Sequence, residues 1–112
     1  MKGDCVRTSE YLVVLITTPD REGAEELAAT LVSESLAACV NVIGACRSVY
    51  RWKGEIVRDD EALLVVKTSR GRFDALERRV LELHPYDVPE VVALDIVRAS
   101  AGYENFLRGI LG

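Results

Sequence analysis

The chain has 112 residues, 49% of them hydrophobic and 29% charged, with a formal net charge of −4, which fits one domain with a modest core. Acidic and basic residues are interleaved, so the basic footprint of a nucleic-acid binder is missing, and so is a polybasic membrane anchor. The three cysteines, Cys5, Cys39 and Cys46, are odd in number and form no CxxC pair, which argues against a disulfide framework or a structural zinc site and predicts free thiols.

Residues 1–10 are polar and charged and read as a flexible tail ahead of a single domain over residues 11–112. The apolar run Tyr11 to Ile16 is too short for a signal-peptide core or a membrane span. The expectation is a cytoplasmic protein. Tyr11 to Thr17 is rich in β-branched residues and ends at Thr18-Pro19-Asp20, the pattern of a central strand buried on both faces. Thr18-Pro19-Asp20 supplies a capping residue, a proline suited to a first helical turn and early acidic charge. Ala24, Leu27, Ala28, Leu31 and Val32 then recur at helical spacing, so one side of this helix packs on a sheet.

Ala38 to Ile43 reads as a second strand, and after Gly44 the pattern resumes through Val49, Tyr50 and Trp52 to the turn Lys53-Gly54-Glu55. Ile56 and Val57 begin the return arm, which reaches the buried-type run Leu63 to Val66. This hairpin is longer than a compact fold requires. Its outer half carries Tyr50, Trp52 and Ile56 and would expose them unless another chain covered them, which predicts an oligomer with these residues at the interface. Cys39, within Leu36 to Val40, is expected to be a small buried apolar residue. Lys67 ends the buried run, and Glu61, six residues before it, shares its pleat face, so the two are expected to form an ion pair.

Phe73, Leu76, Val80 and Leu83 mark a second helix, which His84-Pro85 stops. The segment His84-Pro85-Tyr86-Asp87-Val88-Pro89-Glu90 holds the only histidine and two prolines that fix φ locally, so it is a stiff connector. Val91 to Val97 is expected as the fourth strand, and Tyr103, Phe106, Leu107, Ile110 and Leu111 as a terminal helix. The order strand, helix, strand, strand, helix, strand, helix predicts an α+β fold, the ferredoxin-like βαββαβ sandwich with an extended hairpin between the second and third strands and a C-terminal helix.

These residues also resemble a known family. Thr18-Pro19-Asp20, Leu36-Ala37-Ala38-Cys39-Val40-Asn41, Ser48-Val49-Tyr50-Arg51-Trp52-Lys53-Gly54, Glu61, Lys67-Thr68 and the His84 to Glu90 segment are similar, in this order, to the CutA divalent-cation-tolerance proteins. The resemblance covers Tyr11 to Leu111. It implies a ferredoxin-like subunit assembled as a homotrimer, a cytoplasmic role in tolerance of or response to divalent metal ions such as copper, and a polar cleft near the His-Pro-Tyr loop lined by Glu61, Lys67 and Tyr86. The copper site proposed for some bacterial members joins a cysteine late in the first strand to a histidine and a glutamate of this loop. Here the cysteine position is Ile16, which has no donor atom, so His84 and Glu90 are left as metal candidates for copper or another divalent cation, a weak pair without soft thiolate.

A second reading stands beside the metal ligand for each candidate. His84 can end the helix with its ring bonded to a carbonyl, and Glu90 can cap backbone N–H groups or pair with an arginine. No nucleophile elbow, phosphate-binding glycine loop or paired acidic metal site is present, so no catalytic residue is assigned. The alternative function is a trimeric module, similar in architecture to the PII signalling proteins, that binds a small anion or a partner protein in clefts between subunits.

Overall fold

The structure, a computed structural model, describes residues 10–112; Cys5 and nearly all of the expected tail lie outside them. Strand β1 (Tyr11–Thr18) leads to helix α1 (Arg21–Ser33), the long strands β2 (Cys39–Trp52) and β3 (Glu55–Ser69), a 3₁₀ turn at Arg70–Arg72, helix α2 (Phe73–Leu83), strand β4 (Val91–Asp95) and helix α3 (Ala101–Leu111). The sheet order is β2-β3-β1-β4, with every neighbouring pair antiparallel. This is the expected α+β sandwich.

Helix α1 starts at Asp20, whose extended backbone (φ −151°, ψ 170°) lets its carboxylate accept the Gly23 N–H at 2.7 Å. Pro19 therefore lies ahead of the helix, not in its first turn as the sequence suggested. The helix ends where Ser35 takes a positive φ of 61° and the Leu36 and Ala37 N–H groups both return to the Leu31 carbonyl. Its buried face is Ala24, Leu27, Ala28 and Leu31. These pack with Leu76 and Val80 of α2 against Leu12, Val14, Ile16, Ala62, Leu64 and Val66 of the sheet.

The hairpin turn is fixed by two residues. Lys53 and Gly54 have φ of 52° and 84°, so a two-residue turn with both central residues left-handed joins Trp52 to its partner Glu55, the geometry whose twist matches paired strands. The register shifts between Ile43 and Cys46, where Ala45 also has a positive φ of 59°; this bulge bends the ribbon away from the sheet. Strand β1 accompanies β3 only from Ser69 back to Ala62. Beyond that point β2 and β3 continue as a two-stranded arm, and the molecule is correspondingly long, 50 × 28 × 23 Å.

Strand β4 stops at Asp95 and does not reach Val97. Its register on β1 places Asp95 opposite Leu12, and Ile96 makes one more bond, to the Tyr11 carbonyl. Strand β1 begins there, so Val97 has no strand residue left to face. Helix α3 instead closes a small second cluster, with Leu107 and Leu111 against Tyr11 and Ala38.

One face of the sheet carries α1 and α2; the other holds aliphatic side chains with little cover. The register puts Val13, Leu15, Leu63, Val65, Val92 and Leu94 together on that second face. Val92 is 47% and Leu94 51% exposed. We expect Asp20→Ala to lower stability by about 1 kcal/mol, the usual loss of an N-cap, read as a lower urea midpoint with an unchanged m-value.

Candidate functional site

Pro85 excludes the helical conformation at His84, which ends α2 in an extended conformation (φ −78°, ψ 137°) while its N–H still closes the last turn onto Val80. The imidazole then turns inward and is 8% exposed. Its Nδ1 accepts the Tyr86 N–H at 3.2 Å. Since a backbone N–H only donates, the ring proton is assigned to Nε2, which donates to the Thr17 carbonyl at 2.6 Å. Tyr86 packs on the ring, with centroids 4.8 Å apart, and its hydroxyl donates to Glu61 at 2.9 Å. A continuous chain of bonds thus ties β1, the end of α2, the loop and β3 together.

Burial pushes the Tyr86 phenol up to about 12, helped by its hydrogen bond to Glu61 and by the charges of Glu61 and Asp59. Tyr50 is raised as well, first by its hydrogen bond to Asp59, at 2.5 Å. Two phenol–carboxylate pairs, Tyr86–Glu61 and Tyr50–Asp59, therefore stand near each other where the loop meets the arm.

Between the arm and the loop lies a cleft of about 520 Å³, within the size range of ligand pockets, lined by Thr17, Ser48, Val49, Tyr50, Trp52, Glu61, Tyr86, Asp87, Val88 and Glu90. It brings together Glu61, Tyr86, Tyr50, Trp52 and Glu90 of the residues expected from sequence. Lys67 is not among them. Glu61 and Lys67 do share a strand face, but six residues of strand separate them by roughly 20 Å, so the expected ion pair does not form. Lys67 instead donates to Asn41 on β2. The cleft lining within one subunit holds three carboxyl side chains and no basic one.

Ile56 falls on the opposite face of the arm, paired with Arg51, and is 51% exposed. Cys39 is half-buried, not fully buried as expected; its pairing with Lys67 puts it on the second sheet face. Both described cysteines are free. Thr17, Ser48 and Asp59 were missed by the sequence reading. The signal was present in the turn: counting outward from Lys53-Gly54 pairs Ser48 with Asp59.

The residues present do not form a built metal centre. Ile16 is fully buried, both His84 ring nitrogens are engaged, and no cluster of three or more His, Cys, Asp or Glu among the described residues could hold a metal ion. Of the two ligands expected from the sequence, Glu90 is exposed and His84 is held by other bonds.

Two outcomes follow. His84→Ala should cost about 1–3 kcal/mol, since it leaves the Thr17 carbonyl and Tyr86 N–H unpaired, measurable by chemical unfolding. For Tyr86 the folded value lies above the unfolded one near 10.0, so its contribution to stability is complete below pH about 10 and is lost as pH rises toward about 12. Ultraviolet titration should show a late phenol that disappears in Tyr86→Phe; identical titration curves would contradict the assignment.

Residues 12–109 match the family described as CutA1 divalent ion tolerance protein. The divalent-cation tolerance protein CutA of Thermus thermophilus is 52% identical over 96 residues, 86% of this chain and 93% of that protein. The chloroplastic protein CutA of Arabidopsis thaliana is 42% identical over 91% of this chain, which spans 56% of that longer protein. Among solved structures, the Thermus thermophilus divalent cation tolerance protein superposes with a TM-score of 0.88 at 50% identity, over 91% of this chain and 99% of that one. No helix among the described residues is long and apolar enough to cross a membrane. The chain belongs to the CutA1 divalent ion tolerance family.

Proposed function

We propose that this protein works in divalent-cation tolerance as a non-catalytic homotrimer of the cytoplasm. The observation that carries the assembly is the uncovered second face of the sheet, where Val13, Leu15, Leu63, Val65, Val92 and Leu94 lie side by side. A contiguous aliphatic face of this kind, continuous with an arm bearing Tyr50, Trp52 and Ile56, is covered in a stable protein. The family membership supports the cation role; the sister copies supply the cover.

Copper or another divalent cation, in this reading, meets the loop as a transient ligand. Glu90 is exposed and offers one oxygen donor, and His84 offers a second only when Tyr86 releases Nδ1. Two donors without thiolate give weak, unselective binding. The protein's part in tolerance then rests on assembly and on recognition at the cleft, not on storage of metal.

Light scattering in dilute solution should give a particle of three times the 12.4 kDa chain mass. Leu15→Asp, which places a carboxylate between Val65 and Val92 on the uncovered face, should yield folded or partly folded single subunits. A wild-type monomer, or an unchanged trimer in the variant, would refute the proposed interface. Calorimetric titration with copper(II) should show weak uptake that is further reduced in Glu90→Gln; tight stoichiometric binding would contradict the transient role.

A further inference from the structure

The hairpin register gives the arm two unlike faces. Cys46 pairs with Glu61, Ser48 with Asp59, Tyr50 with Val57 and Trp52 with Glu55. Glu61 lies two residues before Leu63, so this face continues the uncovered side of the sheet. Arg51 pairs with Ile56 and Val49 with Arg58, which turns both arginines and Ile56 the other way.

Each face lacks what the other carries. Glu61 is 7% exposed, its described side-chain partner is the Tyr86 hydroxyl, and none of the ion pairs among the described residues includes it. A carboxylate this deeply set without a cation is costly. Arg51 and Arg58 are diagonal neighbours of like charge. Both are exposed, and no ion pair among the described residues includes either of them, since Asp60 is taken by Arg47.

A ribbon cannot turn its outer face into the cleft that its inner face lines, so within one subunit these groups stay apart. Between two copies, stacking of like faces would set arginine on arginine or carboxylate on carboxylate. Stacking of unlike faces satisfies both, and it is a head-to-tail contact, the kind from which a three-membered ring is built. It also accounts for apolar side chains exposed on both faces of the arm, Tyr50 (40%) and Trp52 (44%) on one and Ile56 (51%) on the other.

We propose that Arg51 and Arg58 of one copy enter the cleft between arm and loop of the next, one guanidinium at Glu61 and the other at Asp87 on the rim, with Ile56 against the rings. The cleft, of about 520 Å³, has room for these side chains, and a guanidinium stacks on aromatic faces such as those of Tyr50 and Trp52. This inference rests on the trimer proposed above and names the residues through which its ring closes. The cleft is then a site of two subunits, complete only in the assembly.

Sedimentation of the full chain through a dilution series, extended into low urea if the wild type does not dissociate in buffer, reads the contact. Arg51→Gln with Arg58→Gln should raise the subunit concentration at half-dissociation by about tenfold or more. Glu61→Gln, checked for folding by circular dichroism, should do the same. The three substitutions together should raise it no further than the larger of the two effects, because groups that share one contact are not additive. If Glu61→Gln does not fold, Asp87→Asn, at an exposed position, takes its place in the cycle. A wild-type trimer that the arginine variant leaves unchanged, or effects that multiply in the combined variant, would overturn this contact and leave the trimer standing. A wild-type monomer would remove both.

Discussion

The rest of the molecule depends on the central strand β1 being aliphatic on both sides. Val14 and Ile16 face the helices and are fully buried, while Val13 and Leu15 face the other way, between β3 and β4. A strand of this kind needs cover on both faces. The chain supplies it on one, through α1 and α2, and leaves the other to α3 at one corner. The demand for a second layer is therefore built into β1, and a sister copy is the cover proposed for it.

The loop after α2 is stiff for a related reason. Pro85 forces His84 out of the helix, and the ring can then reach the Thr17 carbonyl, near the end of β1. With the imidazole anchored, Tyr86 is aimed at Glu61, and the loop is held above the arm at a defined distance. Both nitrogens of the His84 ring are engaged within the fold. The cleft exists because of that anchoring, and its charge follows from which side chains the register of the arm turns toward it.

Charge separation on the arm connects assembly to recognition. Alternation places Arg47, Arg51 and Arg58 with Asp60 on one face and Glu55, Asp59 and Glu61 with the two rings on the other, so a two-stranded ribbon, which would be marginal alone, presents two chemically different surfaces. The two aromatic residues first singled out as interface candidates also line the cleft.

The sequence by itself determined the element order, the stop at His84-Pro85 and the hairpin turn, because proline geometry, left-handed turn residues and hydrophobic period are local properties. It also marked the arm as longer than a compact fold requires and as bearing Tyr50, Trp52 and Ile56, three residues that the structure leaves exposed. Only the tertiary structure decided which polar groups meet. Parity along β3 correctly put Glu61 and Lys67 on one face, but parity is silent about distance along a strand, and their partners came from β2 and from the loop: Asn41 for Lys67, Tyr86 for Glu61. The end of β4 was likewise set by where β1 begins, and the partner of the His84 ring is a carbonyl 67 residues earlier in the chain. Such pairings depend on how separate elements stack and bend, the bulge at Gly44-Ala45 included, and no local pattern encodes them.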